Sequence, residues 1–151
     1  MPIDLRQAVV LAYAGTIPFV LCALLPWLGL PVLPRLGSTA EIAAGYSVAI
    51  ASFMAGVHWG TFLYQSARTP LNLLLTSNAV TVGVWLAFLL MPAALSLMVM
   101  LGAFLILLSI DIRLAQMNLL TDEYLSMRRR VTGIVVACLA MTAATFQALG
   151  G

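Results

Sequence analysis

From Leu71 to Ile110 about 40 consecutive residues carry no charge. As one α-helix, at 1.5 Å per residue, the run would measure about 60 Å, twice the roughly 30 Å hydrocarbon core of a bilayer. It therefore predicts two spans, and Pro92, which cannot continue a helical hydrogen-bond ladder, supplies the break. The expected unit is a tight hairpin of Leu71–Met91 and Ala93–Ile110. Composition extends the argument to the whole chain, which has 151 residues, 63% hydrophobic and 8% charged. An ordinary soluble domain is about 25% charged, and small domains bury the smallest share of their surface. Lipid must be the solvent for most of this molecule.

The prediction is an all-α integral membrane bundle of about five transmembrane helices, forming a single polytopic domain over 1–151. The expected spans are 8–27, 42–64, 71–91, 93–110 and 131–149. The first contains Pro18, follows a lone Arg6, and has no convincing small-residue cleavage site after it, so it reads as a retained helix. Gly29, Pro31, Pro34, Arg35 and Gly37 form a breaker-rich loop before the second. Ser38 or Thr39 caps the second, with Glu41 in its first turn. Thr121 followed by Asp122 and Glu123 starts the last helix in water, with acids at the positive end of its dipole. Cys22 and Cys138 both lie in apolar runs and read as buried thiols. The topology places them roughly 10 Å apart along the membrane normal, too far for a disulfide.

All seven basic residues are arginine. With the N-terminus in the cytoplasm, Arg6, Arg68, Arg113, Arg128, Arg129 and Arg130 lie inside and only Arg35 lies outside. The positive-inside rule therefore predicts a cytoplasmic N-terminus and an external C-terminus. Arg128, Arg129 and Arg130 are expected at lipid headgroup level, anchoring the topology. A net charge of +2 gives no reason to expect nucleic acid as a partner.

Ionisable groups inside a bilayer are costly, so each is a candidate site. His58 and Asp111 qualify, and in this topology Asn72, Thr76, Ser77, Asn78 and Tyr13 fall at similar depth in the cytoplasmic half. The candidate polar site is thus His58, Asn78, Asp111 and Tyr13. The expected partners of His58 are Asn78, Thr76 or a backbone carbonyl. Asp111, at the end of the fourth span, is expected to pair at the membrane surface with Arg68 or an arginine of the triplet. One histidine lacks the ligand cluster of a closed metal site, and no cofactor is implied. A pore needs polar lining through the full thickness of the membrane, which this chain lacks. No P-loop, dinucleotide-binding glycine pattern, CxxC pair or nucleophile–base arrangement is present, so no catalytic residue is assigned. Ser52, Gly56 and Gly60 follow the small-xxx-small spacing that lets helices approach closely. They are expected to pack on another helix of this chain, with a homodimer seam as the alternative.

The stretch from Tyr46 to Gly60 resembles the second-helix signature of a bacterial and mitochondrial family of unknown function that includes human transmembrane protein 69. Tyr46, Ile50, Ser52, Phe53, Gly56, Val57, His58, Trp59 and Gly60 carry the resemblance, with Ala55 in place of a glycine. Pro18-Phe19, Asp111, Tyr124 and Arg128 to Thr132 are similar to further features of that family. The third helix, with Thr69-Pro70 and Asn72 to Asn78, departs from its pattern. The resemblance implies an inner-membrane protein and supplies no activity. It also implies that arginine can stand at the position of His58, which favours a polar anchor or anionic-group contact over proton transfer.

The shortage of catalytic groups points away from an enzyme. The leading expectation is an accessory or assembly partner of a membrane complex, binding another membrane protein or itself. A transporter or channel protomer for a small solute or proton, using His58 and Asp111, is the second. A lipid- or quinone-binding membrane enzyme is the third.

Overall fold

The computed structural model describes residues 5–65 and 72–149. The chain runs α1 (Leu5–Ala14), α2 (Ile17–Leu24), a 3₁₀ turn (Leu25–Leu28), a two-stranded hairpin of β1 (Val32–Leu33) and β2 (Gly37–Ser38), α3 (Thr39–Gln65), α4 (Leu73–Leu90), α5 (Ala93–Gln116) and α6 (Asp122–Ala148). The described residues contain five helical segments long and apolar enough to cross a membrane, the first spanning Arg6–Leu28 through α1, α2 and the 3₁₀ turn. The fold class is all-α, with one small hairpin added.

The first segment is not one helix. It breaks at Gly15–Thr16, and Pro18 falls in the first turn of α2, where its missing N–H costs nothing. Both the N–H (2.9 Å) and the Oγ (2.7 Å) of Thr16 donate to the Tyr13 carbonyl. The Tyr46 hydroxyl of α3 donates to the Gly15 carbonyl at 3.1 Å. Phe19 packs on Tyr46 (ring centroids 5.0 Å apart) and edge-on to Phe104 (6.0 Å). The bend is therefore tied into the core by the side chains that flank it.

The breaker-rich loop folds as the hairpin, with Arg35 at φ 69° and Gly37 at φ 96°. Behind it stands a capping box. The Ser38 N–H and Oγ donate to Glu41 Oε2 at 2.8 and 2.9 Å, and the Glu41 N–H donates to Ser38 Oγ at 3.2 Å. Asn72 caps α4 by accepting from the Leu75 N–H at 3.0 Å, and Thr121 caps α6 by accepting from the Tyr124 N–H at 3.3 Å. The helix of the fourth span runs six residues past Ile110 to Gln116. It ends through a left-handed Asn118 (φ 57°), with the Leu119 N–H donating to the Leu114 carbonyl at 3.0 Å.

The core lies between α3, α5 and α6, with α2 and α4 on its flanks. The buried stripe of α3 is Ala40, Ala44, Ser47, Ala51, Ala55 and His58, spaced three or four apart. Its alanines let α4 and α5 approach closely, while α5 contributes the bulk through Leu97, Met100, Phe104 and Leu107. A second, smaller cluster of Leu73, Ile110 and Leu114 closes one end of the bundle. The expected packing of Ser52, Gly56 and Gly60 on another helix is not met at the two glycines among the described residues. Gly56 is exposed, Ser52 and Gly60 are half-buried, and a Cβ added at Gly56 or Gly60 would meet nothing within 4 Å. The physical reason is that both stripes run along α3, and the alanine stripe is the one that turns inward. Cys22 and Cys138 are free thiols on α2 and α6, two helices that pack on each other.

Candidate functional site: a buried His–Asp–Arg triad

Three ionisable side chains from three helices meet inside the bundle. His58 Nε2 lies 2.9 Å from Asp111 Oδ1, and Arg128 Nε donates to Asp111 Oδ2 at 2.8 Å. His58 is 2% exposed, Asp111 2% and Arg128 4%. At 1.5 Å per residue, each lies about 7–11 Å from the helix end nearest to it: the C-terminal ends of α3 and α5 and the N-terminal end of α6. These ends coincide because the helices alternate in direction. On α5, Leu107 belongs to the main core while Ile110 and Leu114 belong to the small end cluster. Asp111 therefore sits between two apolar layers.

A carboxylate only accepts, so the His58 nitrogen facing it is the protonated one and donates. In the neutral tautomer Nδ1 then carries a lone pair, and this atom is buried without a hydrogen-bond partner among the described residues. Arg128 and Asp111 neutralise each other, which lowers the cost of keeping either from water. Thr132 Oγ1, one turn beyond Arg128 on α6, is likewise buried and unpartnered.

His58 and Asp111, both candidates from the sequence, are brought together. The other two are not. Asn78 is exposed, and its amide donates to the Leu74 carbonyl of its own helix at 2.8 Å. Among the described residues, Thr76 also bonds only to backbone of its own helix turn. Tyr13 is half-buried on α1, and its carbonyl serves the bend; among the described residues it makes no bond to the triad. Asp111 is not a surface residue at a helix terminus, because α5 continues past it and the end cluster covers it. Its arginine comes from the triplet; Arg68 lies outside the described residues. Arg128 is the principal correction. It was expected at headgroup level with its neighbours, but the structure turns it inward, while Arg129 and Arg130 stay exposed. On a helix, consecutive residues point about 100° apart, so a run of three cannot share one environment. Tyr124, one turn before Arg128, lies within electrostatic reach of Asp111 and Arg128. The i, i+4 spacing of Tyr124, Arg128 and Thr132 puts them on one helix face but does not say that this face turns inward. The described residues hold no group of three or more His, Cys, Asp or Glu that could bind a metal ion.

Fold and site together define a multi-pass membrane bundle whose charged core residues are committed to one another. Residues 5–144 match the family described as Protein of unknown function (DUF3429), and the chain belongs to that family. Comparison with curated proteins and with solved structures finds no match.

Proposed function

We propose that this chain is a non-enzymatic inner-membrane protein that acts as an accessory or assembly partner of a larger membrane complex. The observation that carries this reading is the outward face of α3. Gly56 and Gly60 leave a shallow strip of small residues there, where an added Cβ would meet no described atom within 4 Å, and half-buried Ser52 continues it one turn earlier. Phe53 (69% exposed) and Leu63 (66%) flank it. Lipid tails gain little from a strip of small residues, whereas a partner helix gains close backbone contact. The closed triad supports the same reading from inside. Both oxygens of Asp111 are engaged, so the charges act as a clamp that holds α3, α5 and α6 in register behind the docking face.

The test is co-purification in mild detergent. Gly56→Leu and Gly60→Leu have room within the monomer, so the bundle is expected to remain folded while the partner membrane protein is lost. Recovery of the same partner with both variants would sink the proposal. A second copy of this chain on the strip would appear as a change in oligomeric mass in the same experiment.

The unpartnered Nδ1 of His58 favours one further reading, a proton-coupled transporter protomer, since a buried basic nitrogen can accept a proton. This predicts a flux in liposomes that His58→Gln abolishes. Glutamine keeps a donor for Asp111 but has no titratable nitrogen. Equal flux in the variant and wild type would remove this reading.

The arginine distribution supports a cytoplasmic N-terminus. In that placement Arg129 and Arg130 reach the headgroups from the lipid-facing side of α6.

A further inference from the structure

The connection between the first span and α3 carries the wrong side chains for a loop in water. Trp27, Leu28, Val32 and Leu36 are 60–74% exposed, and Leu30 is exposed as well. Loops that run through water are ordinarily built from small and polar residues, and contiguous exposed apolar surface marks a protein or membrane contact. Arg35 is the one charged residue between Arg6 and Glu41, and it stands in the turn of the hairpin.

The backbone of the same segment is largely closed on itself. The N–H groups of Gly29 and Leu30 donate to the carbonyls of Pro26 and Leu25, both at 3.1 Å. That of Leu36 donates to the Leu33 carbonyl at 3.1 Å, and that of Thr39 reaches back to the Pro31 carbonyl at 2.9 Å. Ser38 gives its N–H to Glu41 Oε2, Leu33 pairs with Gly37 across the hairpin, and Pro31 and Pro34 have no N–H to satisfy. Irregular backbone is kept out of lipid by its unsatisfied polar groups. A segment that spends most of its donors internally and turns large apolar side chains outward is therefore suited to the boundary between headgroups and acyl chains.

Continuity with the first span indicates what covers the patch. Leu21 and Leu24 of α2 are exposed, and the run of exposed apolar residues continues along the chain through Trp27 and Leu28 into the hairpin. We infer that the connection 25–38 is an interfacial element, with its apolar side chains among the upper acyl chains and Arg35 at the lipid phosphates. Trp27 supplies the amphipathic ring favoured at that level, and the Arg35 side chain is long enough to extend its charge to the headgroups. The hairpin occupies this layer at the end of the bundle opposite the triad, whichever membrane face is cytoplasmic.

Full-length protein is reconstituted in lipid discs of equimolar phosphatidylcholine and phosphatidylglycerol, which leave both membrane faces open. Val32→Cys, Arg35→Cys and Leu36→Cys are made singly in a background with Cys22 and Cys138 replaced. Each falls on an exposed side chain, so the bundle is expected to remain folded. An impermeant thiol reagent is expected to react several-fold faster at position 35 than at 32 or 36. A fluorophore attached in detergent before reconstitution is expected to be quenched strongly at 32 and 36, and weakly at 35, by lipids brominated high on the acyl chain. Equal reactivity at the three positions would put the hairpin in water and overturn the inference. Protection at 32 and 36 without quenching by brominated lipid would overturn it too, since a second copy of the chain would then be the cover.

Discussion

Asp111 is the residue on which the interior of the bundle turns. It satisfies a histidine and an arginine at once, at 2.9 and 2.8 Å, from a position 2% exposed. Removing one partner of a buried ion pair strands the other charge, at a cost of about 3–5 kcal/mol. Asp111→Ala is therefore expected to destabilise the protein by about that amount, read from its unfolding in mixed detergent. Replacing the pair together, as Asp111→Leu with Arg128→Met, is expected to recover most of the loss, because neither charge is then left alone. If Asp111→Ala unfolds at the same detergent fraction as wild type, the triad is not a clamp.

The junction before α3 shows why an element begins where it does. Gly37 holds φ 96°, and a Cβ there would lie 2.8 Å from Glu41 Oε2, the atom that accepts both Ser38 bonds. Gly37→Ala thus strains a left-handed backbone and disturbs the capping box together. A loss of about 1–2 kcal/mol is expected, measured as thermal stability. The substitution should also expose the amides of the α3 first turn to hydrogen exchange. Unchanged protection there would show that the box does not depend on the glycine. The element that misled sequence reasoning was α3 as well. It carries two stripes of small residues, one rich in alanine and one of serine and glycine, and only their neighbours show which one turns inward.

At the scale of the molecule, the charge layout makes a prediction about sidedness. Single cysteines at Ser126 and at Arg35, in a background with Cys22 and Cys138 replaced, are expected to react with an impermeant thiol reagent from opposite faces. Ser126 should be labelled only from the cytoplasmic side. Labelling of both from one side would break the alternation of spans and with it the proposed orientation. The layout also bears on the cost of the triad. In the orientation proposed above, the triad lies about 7–11 Å from its helix ends, near the level where the exposed Arg129 and Arg130 meet headgroups. Water and lipid phosphates are then close enough to moderate the field of a buried charge.

The helical class, the number of spans, the break at Pro92 and the start of α6 at Thr121 were all legible in the chain. Each is a local consequence of hydrocarbon thickness, proline geometry or an unsatisfied helix end, and needs no knowledge of neighbours. His58 and Asp111 stood out for the same kind of reason, since charge in an apolar run is rare whatever surrounds it. Their union was not legible, nor was the inward turn of Arg128, the isolation of Asn78 and Tyr13, or the outward turn of Ser52, Gly56 and Gly60. Those depend on the rotation of each helix about its own axis, and rotation is set by packing between segments that are distant in sequence. An arginine beside two others looks like an anchor until the rotation of α6 brings it to Asp111.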